Sequence, residues 1–247
     1  MTKTISTKNL IKYYHKRKVV DSVSIHVNQG EIVGLLGPNG AGKTTTFYMI
    51  VGLVTAEHGS IYIDDTEITQ KAMFQRARHG IGYLAQEVNF FRNLTVRQNI
   101  ESVLEFYSFS KKEIRETSDK LIEEFSLQKV VNSLGYSLSG GERRRTEIAR
   151  AISTNPSFLL LDEPFAGVDP IAVEDIQEII SSLVKKNIGI LITDHNVHET
   201  LAITNRAYLM FEGKILKEGT ANDLAHDEEA RKLYLGNQFT LERYKTN

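Results

Sequence analysis

The sequence predicts an α/β fold with a central parallel sheet, and three observations carry this prediction. Short apolar runs rich in β-branched residues recur between Gly and Asp residues, as buried strands do. Three of them, Ile32–Leu36, Phe158–Leu161 and Ile188–Thr193, are apolar on both faces, which is typical of parallel strands covered by helices. The first two are more than a hundred residues apart, far more than one crossover helix needs. We therefore expect a subdomain inserted between them.

Shorter patterns complete the predicted elements. Ile81–Leu84 and Ala207–Phe211 have the composition of further strands. The first 30 residues and Ser60–Ile68 alternate and turn, as a mostly antiparallel sheet would. The C-terminal region, roughly 221–247, is expected to form short capped helices followed by a loose tail.

The insert has a helical pattern. Val96–Tyr107 and Lys111–Phe125 combine helical spacing with many charges, and a linker that contains Gly follows at Val131–Leu138. We therefore expect a small helical subdomain within an insert at roughly 87–156. The whole chain, residues 1–247, is interpreted as one domain built around it.

Composition excludes several kinds of protein. The chain has 30 Lys and Arg residues against 31 Asp and Glu residues, so a broad basic field is absent and we expect no nucleic-acid partner. With no Cys, a disulfide framework, a zinc–thiolate site and a Cys nucleophile are all excluded. No secretory signal and no run of roughly 18 apolar residues is found, so we expect a cytoplasmic chain whose membrane role depends on partners.

A glycine-rich stretch after the first buried strand matches the pattern G-x-x-x-x-G-K-[ST] and leads into a helical run. It consists of Gly37, Pro38, Asn39, Gly40, Ala41, Gly42, Lys43 and Thr44. Glycines let backbone N–H groups curl around phosphate oxygens at a helix N-terminus, while Lys43 supplies charge and Thr44 a hydroxyl for Mg²⁺. We count Thr45, which begins the helical run, with the nucleotide-binding residues. The alternative, an ordinary Gly-rich turn, fits these flanking elements less well.

Two acids end the second buried strand. Asp162 and Glu163 follow Phe158–Leu161, at the edge where open α/β sheets place ligand-binding groups. Because neighbouring strand residues point to opposite faces, the two acids are expected to have different roles. Asp162 is the candidate Mg²⁺ partner, and Glu163 is the candidate that polarises an attacking water. A solvated pair of acids is the alternative.

Polar side chains also follow two other strands. His195 comes directly after the third buried strand, next to Asp194, and is placed to contact a γ-phosphate or the Glu163 water. Gln86 follows the strand Ile81–Leu84 in the same way, so its amide is expected to reach both Mg²⁺ and that water. A structural histidine is the usual alternative for a lone His.

The run LSGGE at Leu138–Glu142 opens a helix that is predicted over Glu142–Ile152. Ser139 followed three residues later by Glu is also a plain capping box. Gly140 and Gly141, however, suit a first helical turn poorly unless a ligand approaches the backbone, and exposed N–H groups there bind anions. We interpret Ser139–Gly141 as a second phosphate site, which serves the nucleotide of another molecule. The charged run Arg143–Arg145 is expected to form a solvated, ion-paired face.

In order and spacing, these motifs resemble the ATP-binding-cassette family across nearly the whole chain. The resemblance implies a P-loop NTPase fold: a RecA-like core, an inserted α-helical subdomain and an antiparallel β subdomain. It also implies a head-to-tail homodimer that holds two ATP molecules with Mg²⁺, each between one subunit's phosphate loop and the other's LSGGE. By the same resemblance Tyr14, rather than Tyr13, stacks on adenine, and Asp169 crosses the dimer interface.

Within the family, runs such as LLDEPFAGVDPIAVEDI and ITDHNVHETL are most similar to ATPases of Gram-negative lipopolysaccharide exporters. ATPases of branched-chain amino-acid importers are the alternative, followed by soluble cassette proteins that act on DNA or ribosomes. The resemblance implies a place on the cytoplasmic face of the inner membrane, with integral membrane subunits docking near Gln86–Leu94. Ala85 departs from the Pro typical of the exporters, so we expect a freer loop at Gln86.

Overall fold

The computed structural model describes residues 2–86, 90–236 and 238–241. Its strands are β1 (Thr4–Tyr14), β2 (Arg17–Val23), β3 (His26–Asn28), β4 (Ile32–Leu36), β5 (His58–Ile63), β6 (Thr66–Glu67), β7 (Ile81–Leu84), β8 (Phe158–Asp162), β9 (Gly189–Thr193), β10 (Arg206–Phe211) and β11 (Lys214–Gly219). They form two sheets. One has the order β11-β10-β4-β9-β8-β7, and the other has the order β2-β1-β5-β6 with β3 paired to β1.

The helices surround the first of these sheets. They are α1 (Lys43–Val51), α2 (Met73–Arg78), α3 (Val96–Leu104), α4 (Lys111–Glu124), α5 (Gly140–Ile152), α6 (Pro170–Lys185), α7 (Val197–Ile203), α8 (Ala221–His226) and α9 (Glu228–Ala230). Single helical turns add to these at Gln128–Val130, Gly135–Ser137 and Arg231–Leu235.

The central sheet is parallel, as predicted, except for the edge strand β11, which runs antiparallel to β10. β4, β9 and β8 are neighbours in its middle, and every residue in them is buried. This explains why their sequences are apolar on both faces, because helices cover both sides of the sheet. The second sheet is antiparallel throughout, so the two sheet types expected from the sequence are confirmed.

Four predicted helices differ from the observed ones at their ends, and α4 does so by one residue, because it ends at Glu124 and Phe125 is its C-cap. α1 begins at Lys43, two residues before the predicted start, because Gly42 adopts a left-handed φ of 102° and acts as the N-cap. α5 begins at Gly140, two residues before the predicted start at Glu142, because Ser139 caps it. α3 ends at Leu104, three residues earlier than predicted, and the chain continues in turns.

A helical region lies between β7 and β8 in the chain. Its helices α3, α4 and α5 bury apolar residues in one cluster, which includes Ile100, Leu121 and Ile148. The same cluster contains residues from one face of the central sheet. The helical pattern of the insert is therefore confirmed within the described residues. Residues 87–89 of the expected docking segment and 242–247 of the expected tail lie outside those residues. Among the helices that are described, none combines the length and the apolar character needed to cross a bilayer.

Candidate functional site

The side chains that follow three neighbouring strands meet at one edge of the central sheet. β7, β8 and β9 run parallel and side by side, so their carboxyl ends bring Gln86, Glu163 and His195 together. The Gln86 Nε2 donates a hydrogen bond of 2.8 Å to Glu163 Oε2, and His195 Nδ1 lies 3.3 Å from the same oxygen. Gln86 therefore holds a carboxylate oxygen that His195, from a different strand, also approaches.

Glu163 has a left-handed backbone, with φ of 48°. This conformation costs a non-glycine residue about 1–2 kcal/mol, and such strain is concentrated at functional sites. Two contacts hold it in place: the Glu163 N–H donates to the Thr193 carbonyl over 2.7 Å, and the Arg144 Nη2 donates to the Glu163 carbonyl over 3.0 Å. The strained peptide turns the carboxylate away from the strand and toward Gln86 and His195.

Arg144 is a site residue that the sequence reasoning missed. The expectation of a solvated arginine face was wrong for this residue, because its side chain is only 7% exposed. It donates to the carbonyls of Pro164, Glu163, Asp162 and Ala85 at 2.9–3.4 Å, and pairs with Glu147 at 2.9 Å. A spacing of four places it on the same face of α5 as the buried residues Ile148 and Ile152, a signal that was present in the sequence. Arg144 thus ties α5 to the backbone that carries Glu163.

Asp162 is completely buried at the end of β8. Neither of its carboxylate oxygens has a hydrogen-bond partner among the described residues. Burial raises the pKa of Asp162 to about 6, and the negative charge of Glu163 adds to this, against the opposing charges of Arg144 and Lys43. A buried, unpaired carboxylate beside a phosphate loop fits Mg²⁺, which prefers oxygen ligands.

The described residues contain no group of three or more His, Cys, Asp or Glu side chains able to form a protein cage for a metal. Mg²⁺ in nucleotide sites is usually held by one or two protein oxygens together with substrate phosphates. Asp162 and the partly buried Thr44, in the first turn of α1, are suited to such a site.

The phosphate loop connects β4 to α1. Gly37 has φ of 146°, and a Cβ at this position would overlap the Met210 carbonyl oxygen, so only glycine fits. The Lys43 Nζ donates to the carbonyls of Gly37 and Pro38 at 2.7 and 3.1 Å. Burial lowers the pKa of Lys43, while the nearby charges of Glu163 and Asp162 oppose this shift. The charges of Lys43 in the loop and of the two acids therefore influence one another.

The remaining loop residues differ in exposure. Asn39 and Gly40 are exposed at the tip, whereas Ala41 is buried and its N–H donates to the Pro38 carbonyl over 3.1 Å. Thr45 is partly buried in α1. The exposed tip leaves backbone N–H groups open to a ligand.

Tyr14 and Tyr13 are both exposed at the end of β1, at 45% and 38%. Each ring has a lysine ammonium 5.7 Å from its centroid, Lys12 for Tyr14 and Lys18 for Tyr13. Exposure and charge are thus nearly equal for the two rings, so the preference for Tyr14 depends on the resemblance.

The LSGGE run forms the capping box that its pattern predicts. The Glu142 N–H donates to Ser139 Oγ, and the Ser139 N–H donates to the Glu142 carboxylate over 2.9 Å. Gly141 is buried, and a Cβ there would lie 3.1 Å from the Cβ of Ala172 in α6. Gly140 is exposed, and its nearest neighbour would be the Gly167 carbonyl at 3.4 Å. Packing therefore explains the second glycine but not the first.

Asp169 lies close to this run in the fold. It is the N-cap of α6, and its Oδ1 accepts a hydrogen bond of 3.0 Å from the Ala172 N–H. The start of α6 thus packs beside the start of α5, where Ser139–Gly141 lies.

Phe90 and Phe91 have different environments. Phe90 is buried against Gly135, whereas Phe91 is 50% exposed with the Arg150 guanidinium 4.9 Å from its ring centroid. A groove of about 150 Å³ runs nearby between the central sheet and the helical region, lined by residues that include Tyr83, Ala85, Val103, Glu147 and Arg150. Only Phe91 of the two is therefore available at the surface.

Known proteins are similar to this chain in sequence and in fold. The family model for the ABC transporter matches residues 20–166. A protein of Haemophilus influenzae named lipopolysaccharide export system ATP-binding protein LptB is 55% identical over 238 residues, which cover 96% of this chain and 99% of that protein.

Solved structures agree with the sequence relatives. The ADP conformation of MJ1267, an ATP-binding cassette of an ABC transporter, superposes with a TM-score of 0.86 at 29% identity and covers 95% of this chain and 99% of that one. A dimeric structure of MJ0796, a bacterial ABC transporter cassette, has a TM-score of 0.78 at 25% identity, with 88% and 98% covered. These likenesses confirm the predicted P-loop NTPase fold class.

Proposed function

The chain belongs to the ABC transporter family, and we propose that it is the ATP-hydrolysing subunit of a transporter that exports lipopolysaccharide. The observation that carries the hydrolytic part is the convergence of Gln86, Glu163 and His195 on one edge of the sheet, beside Asp162 and Lys43. Full-length similarity to the Haemophilus influenzae exporter subunit supports the cargo.

In the proposed reaction, Glu163 is the base that accepts a proton from the water that attacks the γ-phosphorus, while the bond to the β–γ bridging oxygen breaks and ADP leaves. The strained peptide holds its carboxylate, and the hydrogen bond from Gln86 fixes one oxygen, so the other oxygen is directed to the water. His195, which lies 62% exposed next to that carboxylate, contacts the γ-phosphate. Lys43 leaves its loop carbonyls for the β- and γ-phosphates, where its charge stabilises the transition state.

The nucleotide is held by the whole phosphate loop, Gly37–Thr44, with Thr45 in the turn that follows and Tyr14 against adenine. Asp162, Thr44 and Gln86 would hold Mg²⁺, which when bound neutralises developing charge on the β- and γ-phosphates. The unpaired oxygens of Asp162 support this assignment.

A second subunit completes the site in this proposal. Ser139–Gly141 contacts the γ-phosphate of the nucleotide bound by the partner's loop, and Asp169 crosses the interface near it. The exposure of Gly140, which packing does not explain, supports this role. The dimeric cassette MJ0796 shows that a similar chain forms dimers. Monomers are therefore expected to hydrolyse ATP poorly.

Integral membrane subunits are the other proposed partners, with the ATPase peripheral on the cytoplasmic face of the inner membrane and no nucleic acid involved. Docking is placed near Gln86–Leu94, where Phe91 is exposed beside the groove. The Ala85 carbonyl accepts a hydrogen bond from Arg144 over 3.4 Å, so the residue before Gln86 is tied to α5 although it is not the typical proline.

Two experiments test the proposal separately. Glu163→Gln keeps the shape of the side chain but removes the base, so ATP binding should persist while hydrolysis falls at least 100-fold. Hydrolysis near the wild-type rate would refute the catalytic assignment. Membrane proteins that co-purify in detergent should, after reconstitution, move lipopolysaccharide in an ATP-dependent way. Reconstituted uptake of branched-chain amino acids, or co-purification of ribosomes or DNA, would instead refute the export assignment.

A further inference from the structure

The C-terminal segment packs against the end of β4, the strand that leads into the phosphate loop. α8, α9 and the turn Arg231–Leu235 contribute to an apolar cluster that contains Leu36, the last residue before the loop, as well as Leu201 of α7. Tyr234 lies in this turn and packs against the same cluster. The first residue of the loop, Gly37, is therefore one residue away from a cluster that the C-terminal segment helps to form.

The hydroxyl of Tyr234 is buried in an unusual way. Within the described residues it has no hydrogen-bond partner of acceptable geometry. Burial raises the pKa of Tyr234 to about 12, the backbone of Gly37 opposes this shift, and the Asp194 charge adds to it. The hydroxyl therefore lies near the Gly37 amide, without a well-formed bond to it, and within the influence of the Asp194 charge. A buried hydroxyl in this condition lowers the stability of a fold.

The backbone on both sides of this contact is also irregular. The turn Arg231–Leu235 is a π-helix, closed by a hydrogen bond of 2.8 Å from the Gly236 N–H to the Arg231 carbonyl. Such turns are rare and occur frequently at functional sites. Gly37 has φ of 146° and lies tightly against the Met210 carbonyl. The irregular turn Arg231–Leu235 thus carries the Tyr234 hydroxyl, and the peptide near it, that of Gly37, also has an unusual backbone conformation.

We propose that Tyr234 is a positioning residue for the phosphate loop, and that its hydroxyl accepts the hydrogen bond of the Gly37 amide in the nucleotide-bound conformation of the loop. The proposal rests on the assignment of Gly37–Thr44 as the phosphate loop. A group that is satisfied in only one of two conformations favours that conformation by the free energy of the bond it makes there. The C-terminal segment therefore strengthens nucleotide binding without touching the nucleotide.

Tyr234→Phe in the full chain tests this idea, because it removes the oxygen and keeps the ring. The nucleotide-free variant should melt at the same temperature as the wild type or up to about 4 °C higher, since a buried unpaired hydroxyl is gone. Its Kd for ATP should rise about 5–10-fold, the equivalent of one hydrogen bond. The KM for ATP should rise likewise, with kcat changed less than about twofold.

Other outcomes contradict the proposal. An unchanged Kd overturns it, and so does a weaker Kd accompanied by a lower melting temperature, which would indicate lost packing alone. Tyr62→Phe is the matched control, because Tyr62 lies in β5 of the other sheet and its variant should change neither quantity. Lys43→Ala separates the two assignments: if it leaves ATP binding unchanged, the phosphate loop itself is wrong. If Lys43→Ala abolishes binding while Tyr234→Phe has no effect, only the role of Tyr234 fails.

Discussion

The side-chain amide of Gln86 donates a hydrogen bond to Glu163 Oε2 over 2.8 Å. This contact joins Gln86, whose neighbour Ala85 lines the groove, to the acid proposed as the base. A hydrogen bond to a charged group contributes about 1.5–3 kcal/mol. A movement of Gln86 would therefore change the position of the carboxylate. Such a movement is one way in which docking of a membrane subunit could alter the rate of hydrolysis.

Gln86→Ala should lower the ATPase rate about 10–100-fold, because the carboxylate loses the group that fixes one of its oxygens. Steady-state hydrolysis by the purified protein measures this. Gln128→Ala is the control, because that glutamine is exposed in the helical region and should have no effect. A Gln86 variant with normal turnover would show that His195 alone is sufficient to hold Glu163.

Arg144→Lys should reduce kcat more than it changes the KM for ATP. The guanidinium reaches four carbonyls and a carboxylate, and a lysine ammonium cannot span them, so the strained Glu163 peptide relaxes. We also expect a loss of about 2 kcal/mol or more in the free energy of unfolding, measured in urea. Arg143→Lys is the control, since Arg143 makes one long contact of 3.4 Å to the Leu138 carbonyl. Equal effects of the two variants would contradict a special role for Arg144.

The raised pKa of Asp162, about 6 against an ordinary 3.8, predicts a pH-dependent stability. The folded protein binds this proton more tightly than the unfolded chain does, so the contribution of Asp162 is fully present below pH 4 and lost as the pH rises through 6. Without nucleotide or Mg²⁺, Asp162→Asn should therefore stabilise the protein more at pH 7.5 than at pH 4, by up to about 3 kcal/mol.

Urea unfolding at the two pH values measures this difference. Asp65→Asn, a substitution of an exposed aspartate, should shift the free energy of unfolding equally at both. If Asp162→Asn also gives equal shifts, its carboxylate is not held in an unfavourable environment. The argument for a cation at that position would then lose its main support.

Phe91→Ala should impair transport or assembly with the membrane subunits more than it impairs hydrolysis by the isolated chain. Its ring is half exposed and makes its contact with Arg150 at the surface, so little core packing is lost. Phe106→Ala provides a control for the loss of an exposed ring. That ring is 84% exposed and lies two residues beyond the end of α3, outside the proposed docking segment Gln86–Leu94. Normal export by the Phe91 variant would count against docking at this surface.

The fold class, and the edge of the sheet at which the candidate site lies, could be predicted from the sequence because both depend on local signals. A buried strand such as β8 is apolar throughout, and polar residues at the ends of parallel strands must meet at one edge. The left-handed peptide of Glu163 was not predictable, because glutamate has no local preference for it and distant contacts impose it. Arg144 was missed because its neighbours in the chain are charged, and only its spacing from Ile148 indicated burial. Nothing in the sequence was a reason to single out Tyr234, since its nearness to Gly37 depends on the fold of the whole chain.

The two glycines of LSGGE should respond differently to alanine. At Gly140 a Cβ would lie 3.4 Å from the Gly167 carbonyl, an ordinary contact, and alanine favours a helix by about 1 kcal/mol over glycine. Gly140→Ala should therefore be as stable as the wild type or more so. If a partner's phosphate approaches this backbone, the same variant should lose ATP-dependent dimerisation and most ATPase activity. Thermal melting measures the stability, sizing with ATP in the Glu163→Gln background measures dimerisation, and steady-state hydrolysis by the Gly140→Ala single variant measures the activity.

Gly141→Ala is the comparison that interprets this result. Its Cβ would lie 3.1 Å from the Cβ of Ala172, so α5 and α6 must separate slightly and the melting temperature should fall. If Gly140→Ala is stable but neither dimerises nor hydrolyses ATP, its loss of function cannot be due to disturbed packing. Gly141→Ala alone cannot show this, because it is expected to disturb packing as well. If Gly140→Ala is stable, dimeric and active, then Ser139–Gly141 is only a helix cap, and each subunit's phosphate loop acts without its partner.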